Sequence, residues 1–137
     1  MADLRPPDDP SIPDQEPLYV RIFPDPDALI PVADGYRPNS GTLKRGDEPV
    51  SVDLGSLCTP EETKNRDLSA QFHVAMLTAG MARSVGCRVV RDPLDENSAH
   101  ALLYGNRQNT AKSFTGGMTK GEGEKIARMA RIIPIAP

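Results

Sequence analysis

LSAQFHVAMLTAGMARSV, residues 68–85, is the stretch on which the fold turns. Apolar residues recur at Leu68, Phe72, Ala75, Met76, Ala79 and Ala82, the three-and-four spacing of one helix face. Val74, Leu77, Met81 and Val85 add a second apolar line, leaving Ser69, His73, Gly80 and Ser84 as a narrow polar side. The spacing predicts a helix over about 67–85, covered on most of its surface. Gly86 follows directly and suits a helix C-terminus. CRVV, residues 87–90, then reads as a strand.

Further strands flank this stretch. LYVRIF, residues 18–23, alternates around Tyr19 and Arg21 before two prolines. PVSVDL, residues 49–54, points Val50, Val52 and Leu54 one way and Ser51 and Asp53 the other. AHALLY, residues 99–104, is another extended piece, and residues 28–32 are a shorter one. Residues 34–48 read as a long loop. Thr59-Pro-Glu-Glu62 and Thr119-Lys-Gly-Glu122 are capping boxes, in which a threonine and a glutamate three residues on satisfy each other's backbone donors. The second launches a helix to about Arg131, and Ile132, Ile133 and Ile135 form a last short strand or tail. The expectation is an α+β fold: a single small domain with a mixed or antiparallel sheet covered by two main helices, 67–85 and 120–131. Within it, residues 50–54 and 87–90 can form a parallel βαβ pair.

A chain of 137 residues suits one domain. With aromatics at 4 %, Leu, Ile, Val, Met and Ala must build the core. Residues 1–17 hold Pro6, Pro7, Pro10, Pro13 and Pro17 among acidic residues. They read as a disordered proline-rich acidic tail, leaving 18–137 as the domain. A net charge of −3 argues against a nucleic-acid partner. The charge is uneven, with ten acidic and five basic residues in 1–50 against five acidic and eight basic in 87–137. Cys58 and Cys87 make no disulfide framework. The absence of a membrane-length apolar run and of a signal-like start points to a cytoplasmic, non-membrane protein with reduced thiols.

His100 is the residue most able to carry chemistry. It follows a loop holding Asp92, Asp95 and Glu96, and a carboxylate beside an imidazole fixes the tautomer a general base needs. The plainer role is structural, a hydrogen bond from the ring to that loop. Arg37, Ser40 and Lys44 lie in the 34–48 loop. With Asp92 and Glu96 they are the candidate binding residues, expected to meet His100 in a shallow polar site at one end of the sheet. Asp53, on the outward side of its strand, can line the same cleft. Cys58 near a helix N-terminus is a conceivable nucleophile for His100, although a buried inert thiol is the plainer account. His73 and His100 lack the compact spacing of a metal site, so no metal is expected. GGMTKGEG, residues 116–123, does not follow the phosphate-loop order, and no cofactor is expected.

One resemblance adds to this reading. Arg37-Pro38 with Ser40, Ser51-Val52, Thr59-Pro60-Glu61, Gly86, Asp92-Pro93-Leu94 and Ala99-His100-Ala101 resemble, in order, the pattern of a group of small uncharacterised bacterial proteins. It covers roughly residues 36–131 and implies one recurring domain, with no catalytic assignment. The expected function is a protein-interaction or accessory module of a bacterial complex, with a protein partner or a second copy of the chain. The alternative is a small hydrolase or transferase using His100 as general base.

Overall fold

The computed structural model describes residues 3–43 and 46–135. β1 (Pro17–Ile22) leads into a hairpin of β2 (Leu29–Val32) and β3 (Gly35–Pro38), then a single helical turn, α1 (Ser40–Leu43). β4 (Val50–Leu54), α2 (Pro60–Asn65), β5 (His73–Thr78) and α3 (Ala79–Ser84) follow. β6 (Arg88–Arg91), β7 (His100–Tyr104), α4 (Lys120–Met129) and β8 (Arg131–Ile132) complete the chain. The main sheet runs β6-β7-β4-β1-β5-β8, and every pairing in it is antiparallel. The α+β class and the antiparallel sheet agree with the sequence. The parallel βαβ pair is not formed, because β7 lies between β4 and β6.

The decisive stretch differs from expectation. Residues 73–78 are a strand paired along its whole length with β1, from Pro17 opposite Thr78 to Ile22 opposite His73. Only residues 79–84 are helical. The cause is double-sided burial. Ala75 and Leu77 face the same side as their partners Val20 and Leu18, while Val74, on the opposite side, is also fully buried. A strand covered on both faces shows a continuous apolar run, which periodicity alone does not distinguish from a buried helix. Thr78 then caps α3, accepting a hydrogen bond from Met81 N at 3.2 Å. Leu68, placed on the apolar stripe by helical spacing, is 82 % exposed.

Both capping boxes form, at Thr59 with Glu62 and at Thr119 with Glu122. Leu18, Val20, Ile22, Val52, Leu54 and Leu77 join Ala79 and Ala82 of α3 and Ile126 and Ala127 of α4 in one core. α2 packs against β1 and β5 on the opposite side of the sheet, and the β2–β3 hairpin packs against β8 and α4. Sequence reading treats 34–48 as loop, yet it holds β3 and α1.

The proline-rich segment expected to be a free tail is, over residues 3–16, laid along α3 and β6. Asp9 N donates to Val89 O at 3.0 Å, and Val89 N donates to the Asp8 carboxylate at 2.9 Å. The first backbone donors of α3, Ala79 N and Gly80 N, are taken by Glu16 O and Asp14 O. Arg83 bridges Asp8 and Asp14, and Arg88 reaches Asp3. Such surface pairs contribute about 0–1 kcal/mol each. Ile12, only 1 % exposed, contributes about 1.5–3 kcal/mol through burial. Burial of Ile12 and the backbone bonds therefore outweigh any single ion pair in holding the segment down.

Candidate functional site

Strand alternation builds the site. β1 sends Leu18, Val20 and Ile22 to the core and Tyr19 and Arg21 to the other face. Register then aligns Tyr19 with Asp53 and Asp53 with His100 across three adjacent strands. The loop after β6 folds back beside them through the bridge Leu94–Asn97, and α2 closes the other side. The result is an open cleft of about 480 Å³ lined by Tyr19, Arg21, Ser51, Val52, Asp53, Thr63, Arg66, Leu94, Glu96, Asn97 and His100.

Asp53 is the hub of the cleft wall. It is 3 % exposed. One carboxylate oxygen accepts from Thr63 Oγ1 and Arg66 Nε, each at 2.7 Å, and the other from Asn97 Nδ2 at 2.8 Å. Burial alone raises this carboxyl, but the bonds from Asn97, Arg66 and Thr63 outweigh it and hold the group below the usual carboxylate range. Asn97 Oδ1 in turn accepts from Ala99 N. Asp53 thus joins β4, α2 and the 94–97 loop in one rigid wall.

His100 is held separately. Its Nδ1 lies 2.9 Å from Asp92 O and 3.0 Å from Asp92 Oδ2. The main-chain carbonyl can only accept, so Nδ1 carries the proton and the neutral ring keeps Nε2 as an acceptor. The ring is 14 % exposed and borders the cleft. No Ser or Cys side chain bonds to it among the described residues. The Cys58 sulfur instead sits 3.6 Å from both Leu54 O and Thr63 Oγ1. Burial, with the charge of Asp53 adding to it, pushes the Cys58 thiol up. Cys58 is therefore no activated partner of His100.

The expected shared site is brought together only in part. Asp92 bonds His100, and Glu96 and Asp53 line the cleft with His100. Arg37 lies on β3, whose sheet neighbour β2 is outside the main sheet and whose packing partner β8 is at the edge remote from β7. Its guanidinium turns to Pro38 O at 3.2 Å. Ser40 starts α1, which packs on α4 and β1. Neither lines the cleft, and Lys44 lies outside the described residues. Arg21, Arg66, Thr63 and Asn97 are the lining residues that sequence reading passes over. The outward alternation of Tyr19 and Arg21 is the one signal that could have found Arg21.

His73 begins β5 opposite Ile22, away from the cleft. Among the described residues no group of three or more His, Cys, Asp or Glu side chains is placed to hold a metal. Of the 116–123 glycines, Gly117 serves packing, because a side chain there would run into the Asp47 backbone, whereas one on Gly121 would meet nothing within 4 Å. The Glu122 carboxylate accepts from Thr119 N at the head of α4 and from Asn106 N in the loop after β7. No described helix is long and apolar enough to cross a membrane. Comparison with protein-family models, with curated proteins and with solved structures gives no match.

Proposed function

We propose that the cleft is a small-molecule site in which His100 acts as general base, in a hydrolase or transferase reaction. The observation that carries this reading is the Asp92–His100 pair. Asp92 O and Oδ2 fix the proton on Nδ1, so that Nε2 is the basic nitrogen at the cleft. With no protein nucleophile on the ring among the described residues, the group it deprotonates is water or a substrate hydroxyl. Asp53 acts at one remove, holding Arg66 and Asn97 in place. The test is turnover of a panel of nitrophenyl esters and phosphate esters by the full chain and by H100A and H100Q. Loss of at least about a hundredfold in both variants, with unfolding midpoints nearly unchanged, is expected for a general base. Equal turnover in wild type and H100A removes it from the chemistry.

A second reading, a protein-interaction module of a bacterial complex, rests on a different observation. Leu57 and Leu68 flank α2 and are 51 % and 82 % exposed, and Leu94 at the cleft is 40 % exposed. A protein partner or second copy seated over α2 would cover them. Sedimentation across a wide concentration range separates the outcomes. A strict monomer whose behaviour is the same in L57S/L68S counts against self-association. We also propose a cytoplasmic location, which the two free thiols support because thiols stay reduced there.

A further inference from the structure

The two walls of the cleft differ in charge. Arg21 stands on β1, and Arg66 follows α2, which packs on β1 and β5. Glu96 and His100 belong to the wall made by β7 and its preceding loop. β1 and β7 are separated by β4, hence by about 10 Å at ordinary strand spacing. Most described arginines have a carboxylate within 4.0 Å, but Arg21 has none among the described residues. Its guanidinium is held by Thr63 O at 3.5 Å and by the Phe72 ring, 5.9 Å to the centroid. Both contacts orient the cation without an ion pair, and the opposing charge of Asp67 acts on it only at longer range. Arg66 spends Nε on Asp53 and also lies against the Cys58 sulfur, and its terminal nitrogens make no bond to a second carboxylate among the described residues.

We infer that the cleft takes a small ligand bearing an oxyanion, a carboxylate or phosphoryl group, clasped by Arg21 and Arg66, with its reacting end toward His100. Planar guanidinium groups match the paired oxygens of such anions. The Glu96 carboxylate on the far wall repels a second anionic group, so the end at His100 is neutral or a hydrogen-bond donor. This rests on the same cleft as the general-base reading and names the class of substrate for it.

The test is an NMR titration of the full chain with sodium phosphate and, separately, sodium acetate, at constant ionic strength set with chloride. Saturable shifts of the Arg21 and Arg66 side-chain signals are expected with at least one probe. Saturation by phosphate alone assigns a phosphoryl group, and by acetate alone a carboxylate. R21A is expected to weaken binding about tenfold, the effect of losing one charge-assisted contact. R21K keeps the charge without the planar fork, so it recovers only part of the affinity and checks that the fold survives, and R37A is unchanged. Shifts that never saturate, or saturation that survives R21A unaltered, overturn the inference. The two proposals fail separately. Saturable anion binding that R21A weakens, in a protein whose H100A variant turns over like wild type, overturns the general base and leaves the anion site standing.

Discussion

Asp53 and His100 are partners across β4 and β7, yet they share no hydrogen bond. Asp53 is saturated by Thr63, Arg66 and Asn97, and His100 is held through Nδ1 by Asp92. The sheet supplies the spacing and two separate networks supply the rigidity, so the acidic hub and the imidazole can be altered independently.

Replacing Asp53 with Ala leaves Arg66, Thr63 and Asn97 without their acceptor. The expected loss is about 2–4 kcal/mol, below that of a fully buried pair, because the Arg66 side chain is 23 % exposed. The carboxyl is lower in the folded state than in the unfolded chain. Its contribution is therefore complete above about pH 4, the unfolded value, and is lost as pH falls through the folded one. Urea unfolding of wild type and D53N should show a stability gap that is constant near neutrality and narrows in acid. A gap that widens in acid contradicts the assignment.

Leu77 and Met76 separate the strand from a helix. As neighbours on a helix they would both be largely buried. On β5 they point to opposite faces: Leu77 is 1 % exposed and Met76 only half-buried. L77A should cost about 2–5 kcal/mol and M76A distinctly less. Equal losses in chemical denaturation would restore the helix.

Ile12 tests whether the front of the chain belongs to the domain. I12A should cost about 2–4 kcal/mol, in the range for a buried aliphatic truncation. A chain lacking residues 1–13 should be still less stable. Unchanged melting of both would mean that residues 3–16 are not held against α3 and β6.

The thiols should be quiet. Cys87 is pushed up to about 12, first by burial and then by the charge of Glu122, and Cys58 is raised as well. Iodoacetamide at neutral pH should label the native protein far more slowly than the unfolded protein, Cys87 least of all. Fast native labelling of Cys58 would reopen a nucleophilic role for it.

The capping boxes and the alternating strands were legible because their signals are local. Thr59 with Glu62 and the alternation of residues 18–22 each need only a few neighbouring residues. Residues 73–78 were not legible because two-sided burial depends on α2 and on the core, both distant in the chain. The Pro-rich front failed for a related reason: its buried apolar anchor, Ile12, is a single residue among prolines and acids. In the site, His100 and its acidic loop were visible as a local cluster. Arg37 and Ser40 were misplaced because topology sends their hairpin to the β8 edge. Arg21 and Arg66 join the cleft only through the β1–β4 register and the docking of α2.

The strand order also sets the sequence in which this chain can fold. β1, synthesised before both of its neighbours, lies between β4 and β5, so neither neighbour exists when it appears. Apart from β6–β7, no neighbours in the main sheet are consecutive in the chain. Asp3 near the start accepts a hydrogen bond from Asn109 Nδ2 at 2.7 Å. Nearly the whole polypeptide must therefore emerge before the sheet and its N-terminal fastening can close. Such non-local pairing makes folding slow, and β1 stays open to other chains during synthesis.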